Sequence, residues 1–263
     1  MKKLLFRICY QGAQYHGWQV QKNGISVQER FQDALEGLLK KRNPICGCSR
    51  TDAGVHAREY FFHMVTDSPI SEAQMKIALN RSFLPRDIAV LDIVPVPMSF
   101  HARYSAVGKE YCYQIWNAEY PSPFLKDMSW WYRPKLSVDA MREGIPYLLG
   151  RKDFSSFCAA GSSVINHHRE LFEIAVERFD ELIQLRFRGD GFLYHMVRIL
   201  VGTFVAISEG RLQSVDLPRI LEACDRSLAG ATAPPEGLFL NRVFYSQKEW
   251  GRNNEGTESV GEY

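Results

Sequence analysis

Gly47-Cys-Ser-Arg-Thr-Asp-Ala-Gly-Val-His-Ala57 joins one short apolar run, at Ile45–Cys48, to a longer one at Tyr60–Val65. A connection that only reverses the chain needs Gly, Asn or Asp and little else. This one carries Arg50 and Asp52 with Thr51 between them, then Gly54 and His56. Locally two readings stay open. Asp before Ala-Gly is a common turn former, and the same residues could hold a carboxylate at a fixed angle on the edge of a sheet. The pattern on either side decides between them.

Working back from the loop, Leu4–Tyr10 reads as a strand, and Ser26 with Glu29 forms a capping box that opens a helix to about Lys40. Working forward, Glu59–Thr66 reads as a strand, and Ser71 with Gln74 starts a second helix to about Ser82. Asp87–Val94 is a strand stopped by Pro95 and Pro97. The order is β-α-β-β-α-β, a ferredoxin-like unit.

The remainder repeats it. Ser105–Asn117 is a strand, Pro121–Pro134 is irregular, and Ser137 caps a helix through Leu149. Glu170–Arg178 and Leu182–Gly189 form a hairpin, Phe192–Ser208 and Asp216–Leu228 read as helices, and Leu238–Tyr245 is a last strand. The expected fold is α+β: two ferredoxin-like (β-α-β-β-α-β) halves joined into one broad antiparallel sheet, helices on one face, a cleft at the centre. The halves are expected at 1–98 and 99–246, with a polar, disordered tail over 247–263. RNA, if bound, is expected on the face the helices leave open.

Composition narrows the class. The 263 residues are 46% hydrophobic and 13% aromatic, which allows a substantial core and excludes a disordered chain. A net charge of +2 excludes a polycation, so a nucleic-acid partner has to meet a local basic patch. Lys22, Arg103, Lys109 and Arg169 are the candidates for it. The six cysteines read as thiols of a reducing compartment, and Cys46-x-Cys48 has no second pair at zinc spacing. The first residues read as a strand and no run spans a bilayer, so a cytoplasmic protein is expected, without membrane, metal or cofactor.

Chemistry concentrates in few places. In Lys109-Glu-Tyr-Cys-Tyr113, alternation puts Lys109, Tyr111 and Tyr113 on one face. In His195-Met-Val-Arg-Ile-Leu-Val-Gly202, the residues His195, Arg198 and Gly202 share a helix face. A glycine inside a helix costs about 1 kcal/mol against alanine, which suggests the close approach of another backbone. With no phosphate loop, nucleophile elbow or metal motif, a carboxylate is the best reactive group.

Tyr15-His-Gly-Trp-Gln19, Ser49-Arg-Thr-Asp-Ala-Gly-Val-His56, Phe100-His-Ala-Arg-Tyr-Ser105, Lys109-Glu-Tyr-Cys-Tyr113, His195–Gly202 and Glu236-Gly-Leu-Phe-Leu240 together resemble the tRNA pseudouridine synthase A family, in its order and near its spacing. The resemblance implies an isomerase that turns uridine into pseudouridine at positions 38, 39 and 40 of the tRNA anticodon stem-loop, as a homodimer without metal or cofactor. It implies that Asp52 is the nucleophile, that Tyr111 stacks on the base and handles a proton, and that Arg198 pairs with the aspartate. It also implies that Arg50 holds the flipped nucleotide and that Leu240 lines the pocket. After Ala57 the chain departs from the family's small-Gly-Gln-Val-like run with Arg58-Glu-Tyr-Phe61. The same chemistry on another RNA, such as ribosomal RNA, and a non-catalytic RNA-binding module are the alternative readings.

Overall fold

The computed structural model of the protein describes residues 1–246, so the expected tail over 247–263 lies outside the described residues. Strand β1 (Lys2–Tyr10) buries Leu4, Phe6, Ile8 and Tyr10 on one face and turns Arg7 outward. Helix α1 (Val27–Leu39) begins at the Ser26/Glu29 capping box and ends at Lys40, in the left-handed conformation. Strands β2 (Ile45–Gly47) and β3 (His56–Thr66) follow. Helix α2 (Glu72–Ala78) starts at the Ser71/Gln74 box and runs into a π-helical turn, and β4 (Ile88–Val96) closes the first set.

The second set is β5 (Gly108–Trp116), the two-residue β6 (Trp130–Trp131), α3 (Val138–Leu148), β7 (Gly150–Asp153), β8 (His168–Phe179), β9 (Leu182–Gly189), α4 (Met196–Ser208), α5 (Leu217–Ala223) and β10 (Leu238–Phe244). All ten strands form one sheet. Its path is β4-β1-β3-β10-β5-β9-β8-β7, with β2 on β3 and β6 on β5.

The two sets share one topology: β4-β1-β3-β2 in the first corresponds to β10-β5-β9-β8 in the second. They meet on β3, whose outer edge is divided. Phe62–Met64 pairs with β2, whereas His56 and Ala57 pair with Phe239 and Leu240 of β10. That seam is parallel, so the sheet is mostly rather than wholly antiparallel. The seam also starts β3 at His56, three residues before the Glu59 expected from β propensity.

Both helix layers lie on one face. Phe62 of β3 stacks on Phe6 at 4.5 Å and tilts against Phe31 of α1 at 5.0 Å. On the other side of the seam, Phe187 stands opposite Tyr111 and meets Phe204 of α4 at 6.2 Å. Burying each such ring contributes about 2–3 kcal/mol. No helix among the described residues is long and apolar enough to cross a membrane.

Two expected helices are shorter than their periodicity suggests. The helix expected from Phe192 starts at Met196, because His195 adopts φ 59°, a left-handed conformation that no helix continues through. The helix expected over Asp216–Leu228 stops at Cys224, φ 51°, and resumes as one 3-10 turn capped by Asp225.

Candidate active site

The Asp52 loop is shaped by the segment that precedes α1. Gly17, at φ 78°, passes so close that a Cβ there would lie 2.3 Å from the Thr51 carbonyl oxygen, and only glycine fits. Next to it, Trp18 N–H donates to that carbonyl at 3.2 Å, Gly54 N–H donates to the Tyr15 carbonyl at 3.1 Å, and the hydroxyls of Tyr10 and Thr51 are 2.9 Å apart. The backbone on both sides of Asp52 is thus tied down by Tyr15-His-Gly-Trp18.

The departure at Arg58–Phe61 belongs to this support. Tyr60 is fully buried, stacks on Trp18 at 4.1 Å and donates its hydroxyl to the Ser49 carbonyl at 2.5 Å. Glu59 pairs with Arg7 at 3.5 Å and accepts from Val243 N–H at 3.2 Å. These bulkier side chains hold the loop and the sheet seam together.

Asp52 itself, about a quarter exposed, meets two donors from the C-terminal helix layer. Arg198 Nη1 and His195 Nε2 each lie 3.4 Å from its Oδ2. Arg198 is further fixed by Nε, which donates to the Ala233 carbonyl at 2.7 Å. Burial lowers the His195 pKa; Asp52 opposes the shift, and Arg198 and Arg226 add to it. The shift favours the neutral imidazole, which faces Asp52 through Nε2.

Tyr111 lies on the same sheet face, buried, with Phe192 standing edge-on at 5.0 Å. Burial raises its phenol above the ordinary range. Asp52, Tyr111 and Arg198 thus converge on the face that carries the helices, between the two helix layers. The site residues therefore lie on the helix-bearing face, whereas RNA was expected on the helix-free one.

Of the remaining expected residues, Arg50 is exposed in the Asp52 loop. Leu240 is fully buried beside Tyr111, its cross-strand partner, and supports that ring from the neighbouring strand. The structure adds His195 to the set. Its spacing from Arg198 was visible, but its left-handed backbone was not.

His56 ties the two halves together at the same point. Its Nδ1 accepts from Gly12 N–H at 3.0 Å, which places the proton on Nε2, and that N–H donates to the Glu236 carbonyl at 3.1 Å. The bonds require a neutral ring, and burial lowers its pKa. His63 is likewise neutral: its Nδ1 accepts from Ala102 N–H at 3.1 Å, and burial lowers its pKa to about 4. Both histidines are depressed below an unfolded value of about 6.5. Their contribution to stability is present above that pH and is lost as pH falls toward their folded values. The melting temperature should drop between pH 6.5 and 5, before most carboxylates titrate. A His56→Asn, His63→Asn double variant should flatten that slope; an unchanged slope would show that the histidines do not cause it.

Cys46, His63 and His101 bring three donor atoms within 4.8 Å of one another. Nδ1 of His101 also accepts backbone N–H groups, from Arg103 and Tyr104. Both rings therefore carry their proton on Nε2. Metal-binding histidines donate their second N–H outward instead, so holding an ion would mean giving up these bonds.

A carboxylate, a guanidinium, an imidazole and a phenol gathered in one cleft are suited to nucleophilic or acid–base chemistry. The model of a family described as tRNA pseudouridine synthase matches residues 8–105 and 145–246. A tRNA pseudouridine synthase A from Acetivibrio thermocellus is 41% identical over 245 residues, covering 93% of this chain and all of its own length. Proteins of the same name from Ruminiclostridium cellulolyticum and Exiguobacterium sibiricum are each 42% identical, over 93% and 95% of this chain and the whole of theirs. The chain belongs to the tRNA pseudouridine synthase family. It is an isomerase, an RNA pseudouridine synthase.

Proposed function

We propose that the protein converts uridine to pseudouridine at positions 38, 39 and 40 of the tRNA anticodon stem-loop, with Asp52 as the nucleophile. The observation that carries this reading is the convergence of Arg198 and His195 on one oxygen of Asp52. With Oδ2 hydrogen-bonded to Arg198 and faced by His195, Oδ1 is the oxygen left to react. The reaction breaks C1′–N1 and forms C1′–C5; the proton lost from C5 is balanced by one gained at N1, so nothing is consumed. The base has to leave the stack at a cost of a few kcal/mol. Tyr111 offsets part of that by stacking, worth about 1–3 kcal/mol, and Arg50 holds the flipped nucleotide.

Residues 1–98 supply the aspartate and 99–246 supply Tyr111 and Arg198, so neither half is a site alone. The working unit is taken to be a cytoplasmic homodimer, as the family resemblance implies. Incubation with unmodified tRNA transcripts, followed by mapping of each product uridine, tests the assignment. Pseudouridine is expected at 38–40. Modification confined to another arm, or none in any tRNA transcript, would overturn the target.

A further inference from the structure

We propose that Lys109, flanked by Arg103 and Arg169, is an anchor for a backbone phosphate next to the target uridine. The inference rests on the proposed function and gives that site a second, anionic subsite.

Lys109 lies in β5, paired on both sides, opposite Val243 of β10 and Gly189 of β9. Its ammonium is half-buried and lies 3.3 Å from Ser49 Oγ, in the loop that carries Asp52. That leaves an ammonium with other donors to use. Its electrostatic neighbours are the wrong kind for a structural ion pair. Burial lowers its pKa, Arg103 and Arg169 lower it further, and the only opposing group is Cys48. Burial pushes that thiol up to about 11, so it carries no charge at physiological pH.

Both arginines are turned to other tasks only in part. Arg169 donates from Nη1 to the carbonyls of Asn166 and His168. Its nearest acid, Asp190, is engaged with Glu170 N–H at 2.9 Å and Arg151 at 3.8 Å. Arg103 is exposed and lies over the Tyr104 ring at 5.8 Å. Cations whose nearby carboxylate, Asp190, is already paired with Arg151 repel one another, and a bound anion reverses the sign of that interaction.

Position identifies the anion. Lys109 and Tyr111 are two residues apart on one strand and one face, about 7 Å. That is the span from a nucleotide's base to its own phosphate. A base on Tyr111 therefore brings a phosphodiester to Lys109, whose ammonium is held toward the Asp52 loop by Ser49. Lys22, the fourth basic candidate, is exposed in the separate loop before α1.

The test is a binding cycle in an Asp52→Asn background, so that turnover plays no part. Lys109→Met keeps the volume of the side chain and removes its charge; Lys109→Arg keeps the charge. The ligand is an anticodon stem-loop carrying a neutral methylphosphonate at the phosphate 5′ or 3′ of the target uridine, with the adjacent 2′-hydroxyl methylated for stability. The control is the same RNA with an ordinary phosphate. Lys109→Met should weaken binding of the control about tenfold, the worth of one charge-assisted bond, and lower the salt slope of log Kd by about one. Lys109→Arg should restore most of both. One methylphosphonate should weaken the parent protein by a similar factor and Lys109→Met no further. An unchanged salt slope, or a methylphosphonate penalty that persists in full in Lys109→Met, would overturn the anchor. Loss of activity in Asp52→Asn tests the catalytic reading separately.

Discussion

Asp52→Asn should form no measurable pseudouridine while binding tRNA within a few-fold of wild type. The substitution keeps the shape of the side chain and removes the charge. An amide oxygen can still accept from Arg198 and His195 at the 3.4 Å positions, so the loop has little reason to move. It is in any case tied by Trp18, Tyr15 and Tyr10 through bonds that do not involve the Asp52 side chain. The amide is a poor nucleophile and a poor base, and removing a reactive group of this kind costs about 10⁴-fold or more in turnover. Asp52→Glu keeps the charge but extends it by one methylene, a displacement of about 1 Å that should cost about 10²-fold. Single-turnover assays on a stem-loop, read beside filter-binding, separate the outcomes. Turnover by Asp52→Asn within tenfold of wild type would remove the aspartate from the chemistry. An equal loss of binding and turnover would make it a structural residue of the RNA surface.

The parts of this arrangement that were legible in the sequence are those with local causes. Ser26 with Glu29 and Ser71 with Gln74 start helices because each side chain satisfies a backbone N–H a few residues away, and both boxes are present. Period-two burial in β1 follows from the pleat alone. What was not legible depends on the partner across space. The parallel seam joins His56 to Phe239, 183 residues later, and no local signal specifies the direction of that pairing. The shared face of His195, Arg198 and Gly202 did not show how far α4 is covered. The helix is in fact enclosed on nearly every side, Arg198 and Ser208 excepted, because the sheet lies beneath it and the 230–233 segment above. His195 escaped for a related reason: histidine rarely adopts a positive φ, and this one does so where its ring meets Asp52. Tyr60 stood out only as part of a departure from the family's run, and it is a buried support of the Asp52 loop, a distinction that burial makes.

Gly202→Ala should be the most damaging single methyl in the chain, and its effect follows from that same enclosure. A Cβ at Gly202 would lie 1.7 Å from the Ala231 carbonyl oxygen, and one at Gly230 would lie 2.5 Å from the Gly202 backbone. The two glycines let α4 and the 230–233 segment touch backbone to backbone. Three bonds close the contact: Gly230 N–H to Thr203 Oγ1 at 2.9 Å, Ala233 N–H to the Arg198 carbonyl at 3.1 Å, and Arg198 Nε–H to the Ala233 carbonyl at 2.7 Å. No flexible side chain stands in the way that could turn aside; one backbone has to retreat. Overpacking of this sort costs about 3 kcal/mol, or a fall of about 6–12 °C in melting temperature for a chain of this size. The retreat also draws Ala233 away from Arg198, which loosens the guanidinium beside Asp52. Turnover should therefore fall about tenfold or more in protein that is still folded at the assay temperature. Gly210→Ala is the control. Gly210 has φ 72° with nothing within 4 Å of a Cβ, so its cost is conformational only, about 1 kcal/mol, and turnover should be unaffected. If Gly202→Ala melted no lower than Gly210→Ala, the segment would be free to retreat without loss, and its role in holding Arg198 against the aspartate would fall with it.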